Sequence, residues 1–363
     1  MTGLWTPRIL ARGQGPAANE AGSSPRVDVV IPNYNYGRFV EQALDSVLTQ
    51  EGVLVRAIVV DDASTDDSVD RVRAIAKGDD RVLLVQHAVN KGPVATFNDG
   101  LEQVDAEYLV RLDADDMLTP GSLARSTWLA ERHPGVGLVY GHPIHFAGEA
   151  PRARTGVDGY TVWSGSSWLE LRCRLGVNCI TSPEVLMRRS VVDEVGGQRD
   201  LAHTHDMEMW FRIARASDVG HLSGCDQAWH REHGDSLSAR EVDVMTDLEE
   251  REAAFRTLFE ASPHAEDARL WRIARTALAA EAGTRTASAY LRGRGGTPET
   301  DEYLRYARDV QPPGTTPYSL RRAERAVSGT LPLGRADPAL FVLAAKEKIV
   351  RGIRARRWRA TGL

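Results

Sequence analysis

Apolar and polar positions along the first 140 residues follow two periods in turn. Val27-Asp28-Val29-Val30-Ile31 is a β-branched run closed by Pro32, and Phe39, Val40, Ala43, Leu44, Val47 and Leu48 then recur at helical spacing. The pattern repeats: Ala57-Ile58-Val59-Val60 leads to Asp61-Asp62, a Ser64/Thr65 helix cap and the first-turn acids Asp66 and Asp67. Arg81 to Val85 predicts a third strand and residues 92–103 a helix. Tyr108-Leu109-Val110-Arg111-Leu112 predicts a fourth strand that runs straight into Asp113-Ala114-Asp115-Asp116, and Thr119-Pro120 predicts the capped start of another helix. Strands alternating with helices imply an α/β fold with a mostly parallel central sheet.

Past residue 140 the regularity weakens. Residues 141–182, rich in Gly, Trp and Arg, read as a long connection with helix near Trp168 to Arg174. Pro183 to Met187 returns to the sheet, Met207 to Ala216 has helical spacing, and Val219 to Leu222 is a last short strand. From residue 239 the chain turns rich in Ala, Arg and Glu, with breaks at 293–298, 312–317 and 332–338. The expected organisation is a flexible leader over 1–25, an α/β body over 26–238 and a helical accessory region over 239–363.

Composition narrows the function classes. The chain of 363 residues carries 45 Lys plus Arg against 50 Asp plus Glu, a net charge of -5, which argues against a nucleic-acid binder with a wholly basic surface. Cys173, Cys179 and Cys225 form no C-x-x-C pair, so neither a disulfide framework nor a thiolate zinc site is expected, and a reducing cytoplasm is the default. No apolar run approaches the roughly 18 residues of a membrane span. Residues 317–363 carry 9 Arg and 2 Lys against three acids, a net of +8. There Lys346 to Arg359 reads either as a basic helix in peripheral contact with the inner, anionic face of the membrane or an acidic partner, or as a solvated closing helix. Trp163 and Trp168 read as packing residues.

The chemistry gathers where strands end, which in a parallel α/β sheet is where ligands bind. Strand one ends at Pro32-Asn33-Tyr34-Asn35, strand two at Asp61-Asp62, strand three leads to Asn90-Lys91-Gly92, and strand four ends at Asp113 to Asp116. Carboxylates converging in one place repel unless a cation or donors share the site, so a divalent metal is expected.

The segments VDVVIPNYN, IVVDDASTDDS, NKGPVATFNDG, LDADD, GG followed by HDMEMWFRIA, and HREHGDSLS resemble, in order and spacing, the motifs of inverting family 2 nucleotide-sugar glycosyltransferases, over roughly residues 27–238. The resemblance implies a GT-A catalytic domain. It implies that Pro32 and Tyr34 line the nucleotide base and that Asp62 accepts a hydrogen bond from it, which suits the imide of a UDP-sugar. Asp113 then holds the ribose, Asp115 binds Mn2+ or Mg2+, His233 helps hold the metal or diphosphate, and Asp206 is the general base. Lys91 is a diphosphate contact by position, a role the motif does not fix; a plain turn residue is the other reading. Departures from the pattern are His205 where an acid is frequent, Phe97 where Arg is frequent, and Gln198 where an aromatic is frequent.

The implied acceptor is a cell-surface polysaccharide or lipid-linked glycan, a natural product, or a peptide side chain. The competing reading is a nucleotide-sugar-binding protein without catalysis. A phosphoacceptor signalling module needs a Lys near its last strand, and no Lys lies between Lys91 and Lys346. A nucleotidyltransferase needs a Gly-rich, Arg-containing loop where Pro32-Asn33-Tyr34-Asn35 stands.

Overall fold

A computed structural model of the chain describes residues 5–16, 24–234, 243–261, 264–328, 352, 358 and 361–363. The chain divides into two compact units. The first comprises Met1–Leu169, Cys179–Arg240 and Arg359–Gly362; the second comprises Glu170–Asn178, Glu241–Trp358 and Leu363.

The first unit is built on one ten-stranded mixed sheet. Its elements in chain order are β1 (Ile9–Gly13), β2 (Arg26–Asn33), α1 (Gly37–Leu48), β3 (Leu54–Asp61), α2 (Ser68–Ala76), β4 (Val82–Gln86), α3 (Pro93–Leu101), β5 (Tyr108–Arg111), β6 (Met117–Leu118), α4 (Ser122–Arg132), β7 (Val136–Phe146), β8 (Gly159–Trp163), α5 (Gly165–Leu175, which belongs to the second unit from Glu170 on), β9 (Leu186–Arg188), α6 (Arg189–Val195), α7 (His205–Ala216) and β10 (Asp218–Arg231). The strand order is β1-β8-β10-β7-β9-β5-β2-β3-β4, with β6 pairing β10. From β4 to β5 the pairing is parallel, β9 runs antiparallel to both β5 and β7, and β7 with β10 is parallel again.

Strand β2 is central because both its faces are apolar: Val27, Val29, Val30 and Ile31 are wholly buried. Its one acid, Asp28, is buried against Arg56 of β3 through two hydrogen bonds of 2.9 and 2.7 Å and also accepts the Asp105 and Ala106 N–H groups. Helix α1 lays Val40, Ala43, Leu44 and Val47 on the sheet. In the register, Asn33 faces Asp61, Asp61 faces Gln86, and Val30 faces Arg111. The loops after β2, β3, β4 and β5 therefore leave the same edge.

Four local expectations change. Residues 9–13 of the expected leader form β1, antiparallel to β8 from Ile9↔Trp163 to Gly13↔Tyr160. Thr119-Pro120 does not cap a helix: Gly121 at φ 70° precedes α4, and the Thr119 hydroxyl donates to the Asp226 carbonyl at 2.6 Å. Likewise Ser64 and Thr65 precede α2 by a turn, since Ser64 is drawn to Asp61 instead. The expected four-residue strand at Val219 is part of the 14-residue β10. Its polar residues mask it in sequence but are buried and paired: Gln227 bonds Arg125, Ser126 and the Ser122 carbonyl, while Arg154 pairs with Asp226. A register shift between His221 and Asp226 coincides with Gly224 at φ 86°, a conformation suited to glycine.

The second unit is helical: α8 (Val244–Ala261), α9 (Asp267–Leu291), α10 (Pro298–Val310) and α11 (Tyr318–Val327). Thr297 caps α10 by accepting the Thr300 N–H, with Pro298 at its first position. A Cβ on Gly283 would lie 2.8 Å from the Leu320 backbone, so α9 and α11 approach closely only because that residue is glycine. Buried Arg251 pairs with Asp247 and Glu281. Among the described residues no helix is long and apolar enough to cross a membrane. The expected boundary at 238/239, nearly all of the basic segment Lys346 to Arg359, and Ser236 and Ser238 lie outside the described residues.

Candidate active site

The loops after β2 and β3 are hydrogen-bonded into one plate. Asn33 Nδ2 donates to Asp61 Oδ2 at 2.7 Å, and Asp61 also accepts the Ser64 N–H and hydroxyl. Asn35, at φ 59°, offers its side-chain oxygen to the Thr65 and Asp66 N–H groups, and Asp66 accepts the Gly37 N–H. On this plate Pro32 is half-buried and Tyr34 is 46% exposed, its ring available to a planar ligand.

Asp62 lies beside it, almost wholly buried. It accepts His87 Nδ1 at 2.7 Å, the Lys91 N–H at 2.8 Å and the Gly92 N–H at 2.9 Å. Burial alone would raise its pKa, but these bonds together hold the carboxyl below the usual range. Lys91 thus meets the site through its backbone, while its ammonium pairs with Asp99 at 2.6 Å. His87 closes the network, with Nε2 2.9 Å from Asp99.

Three acids follow β5 in different environments. Asp113 is about one-third exposed and pairs with Arg111 Nη2 at 2.7 Å; Arg111 Nη1 also donates to the Ser182 hydroxyl. Asp115 faces His233 Nε2 at 2.8 Å, and burial, then the Asp113 charge, raises its pKa. Asp116 is fully enclosed against His230 Nδ1 at 3.0 Å and the Arg231 N–H at 2.8 Å. Burial raises the Asp116 carboxyl. Burial also opposes charge on His230, but the facing Asp116, with Asp113 and Asp115, outweighs it and raises the imidazole.

Asp206 occupies the first turn of α7, half-buried, where the helix dipole favours an anion. Burial nevertheless pushes its carboxyl up to about 7; Arg111 pulls it down, while Asp113 and buried Glu184 push it further up. The same charges act on several of these groups, which places Asp113 and Asp206 in one electrostatic neighbourhood around Arg111. Beneath it, Arg212 holds the Val195, Gly196 and Gly197 carbonyls and pairs with buried Glu208, and Asn98 exchanges two hydrogen bonds with the Gln198 backbone.

Among the described residues no group of three or more metal-ligand side chains occurs. Asp115 and His233 would supply two, a donor set that would suit a Mg2+ or Mn2+ needing few protein ligands. A buried carboxylate raised by its neighbouring acid is also the electrostatic setting that a cation relieves. The residues fit that group. An open groove of about 700 Å3 runs along α1, lined by Gln42, Asp45, Trp229 and Arg231 among others. None of Asp62, Asp113, Asp115 or Asp206 lines it.

The structure thus gathers Asp113, Asp115, His233 and Asp206 beyond one sheet edge, with Pro32, Tyr34 and Asp62 on the adjoining loops. Sequence reasoning passed over His87, Arg111, Glu184, His230 and Arg231. Arg111 and Arg231 stood two residues from named positions; Glu184 carried no signal, since its role comes only from burial and the Thr181 and Ser182 N–H groups.

Residues 28–196 match the family model described as Glycosyl transferase family 2. The putative glycosyltransferase EpsE of Bacillus subtilis is 32% identical over 199 residues, 53% of this chain and 67% of that protein. An uncharacterized glycosyltransferase of Haemophilus influenzae is 24% identical over 226 residues, 59% of this chain and 68% of that one. The GalNAc(5)-diNAcBac-PP-undecaprenol beta-1,3-glucosyltransferase of Campylobacter jejuni is 33% identical over 119 residues, 32% of this chain and 38% of that protein. Among solved structures, S. aureus TarS 1-349 in complex with UDP-GlcNAc shares the fold with a TM-score of 0.58, at 16% identity over 88% of each chain.

Proposed function

The chain belongs to glycosyl transferase family 2, and from that premise we propose that it moves a sugar from a nucleoside diphosphate, foremost a UDP-sugar, to an acceptor hydroxyl with inversion at the anomeric carbon. The fold is the mixed α/β GT-A fold with helices following it. The observation that carries the reading is the meeting of separate acids beyond one sheet edge, Asp113 and Asp115 after β5 with Asp206 at the start of α7, while Asp62 stands on the adjoining loop after β3.

In this reading Tyr34 and Pro32 border the base and Asp62 reads it, its carboxylate fixed by His87 and two backbone N–H groups. Asp113 takes the ribose hydroxyls, and Lys91 stands beside the diphosphate path. Asp115 and His233 would hold Mn2+ or Mg2+. Bound there, the cation would neutralise charge on the departing diphosphate. Asp206 accepts the acceptor's proton as its oxygen meets the anomeric carbon through an oxocarbenium-like transition state. A carboxyl near 7 is matched to that task, because a base titrating near the working pH combines a usable ionised fraction with real proton affinity. The Campylobacter relative acts on an undecaprenol diphosphate glycan, which supports a lipid-linked or cell-surface glycan acceptor over a natural product or a peptide.

Release of UDP from a panel of UDP-sugars in Mn2+ tests the proposal. Asp115→Ala should abolish it. Asp206→Asn should lower turnover by about 10^2 to 10^4 and leave donor binding intact. Full activity of Asp115→Ala overturns the metal assignment, and lost donor binding in Asp206→Asn reassigns that residue to the donor.

A further inference from the structure

A buried arginine joins the two residues proposed to hold the cation. Arg231, the last residue of β10, is 8% exposed. Its N–H donates to Asp116, its Nε donates to the Asp115 carbonyl at 2.9 Å, and its Nη2 donates to Gln42 Oε1 on α1 at 2.7 Å. The guanidinium is flanked by two rings, with its carbon 4.6 Å from the centroid of Phe39 and 4.7 Å from that of Phe146.

The Phe39 ring does double duty. It also packs on the His233 imidazole, centroids 5.2 Å apart, while Tyr36 meets that imidazole edge-on at 5.9 Å. These contacts leave His233 Nε2 facing Asp115 Oδ2. Arg231 therefore fixes Asp115 through its main chain and His233 through a shared ring. The alternative for a cation two residues from His233 is direct contact with the diphosphate. The geometry disfavours it: Nε and Nη2 are engaged by protein oxygens, Nη1 faces the Gly148 carbonyl, and the groove that Arg231 lines holds none of Asp62, Asp113, Asp115 or Asp206.

We propose that Arg231 is a positioning residue for the Asp115–His233 pair, holding carboxylate and imidazole at ligating separation without touching the donor. This rests on the metal-assisted reading above. It requires a planar guanidinium, since the ammonium of Lys can neither lie flat between two rings nor reach the Asp115 carbonyl and Gln42 together.

The test uses the full chain with Mn2+ as probe, its free concentration read by electron paramagnetic resonance in saturating UDP, and UDP binding in EDTA read by calorimetry. Arg231→Met and Arg231→Lys should each weaken Mn2+ binding by about 10- to 100-fold, the range for losing a group that orients a ligand. UDP affinity in EDTA should stay unchanged. Unchanged Mn2+ affinity overturns the proposal, and so does an equal loss of UDP affinity in EDTA, which would make Arg231 a donor contact. If both arginine variants fail to fold, Gln42→Leu and Phe146→Leu carry the test: each should weaken Mn2+ binding, and no change in either overturns it. A wild-type chain that binds UDP but no Mn2+ sinks the metal-assisted reading itself, an outcome distinct from wild-type binding that the variants leave untouched.

Discussion

At the start of α7, one environment acts in opposite directions on adjacent residues. Burial drives the His205 imidazole down to about 4 and the Asp206 carboxyl up to about 7. His205 is therefore neutral at working pH and adds no charge beside Asp206. If Asp206 is the base, kcat falls about tenfold per pH unit below roughly 7 as its carboxylate is protonated. The same shift predicts a stability effect of definite sign. The folded pKa lies above the unfolded value of roughly 3.9, so the charge weighs against the fold progressively from pH 4 to 7 and fully above 7. Asp206→Asn should raise the melting temperature at pH 8 and leave it unchanged below pH 4, as scanning calorimetry would record; a uniform shift at both would contradict it. Asp62, Asp113, Asp115 and Asp116 could be read from sequence because they follow apolar strands, whereas Asp206, at a helix start, was reached only through the resemblance of its motif. Their tuning could not, because Arg111, Glu184 and His230 act through distances that only folding creates.

Among elements, β2, β3 and β5 were legible because strands buried on both faces read as continuous β-branched runs. Strand β10 was legible for four residues of its 14, since it buries His221, Asp226 and Gln227 and interrupts its own alternation at Gly224. His221 has a consequence for the whole strand. It packs among Tyr140, Trp163 and the Gly362 backbone, and burial, then the charge of His142, drives its pKa down to about 3. An imidazole depressed from roughly 6.5 contributes stability that is present above 6.5 and lost as pH falls toward 3, at about 1.4 kcal/mol per unit. His221→Phe should move the acid-unfolding midpoint of the first unit to lower pH, followed by tryptophan fluorescence. An unmoved midpoint would assign acid lability elsewhere.

On the scale of the molecule, periodicity marked an α/β body and composition a helical remainder, and the four helices described in the second unit have that character. Close packing there depends on single positions such as Gly283, which composition does not mark. The first unit has the opposite economy. Its helices are local, but the proposed cation pair and its supports join residues 114 to 118 positions apart. In refolding from urea, helical circular dichroism should return before Mn2+-dependent UDP binding does, and simultaneous recovery in stopped-flow would count against this order. The late arrival of β10 matters most during synthesis. At roughly 5 to 20 residues per second, the acids that follow β5 leave the ribosome roughly 5 to 25 s before His230, Arg231 and His233 exist. For that interval Asp115 and Asp116 lack the groups that later face them, so the proposed cation pair comes into being only when the tenth strand inserts between β7 and β8.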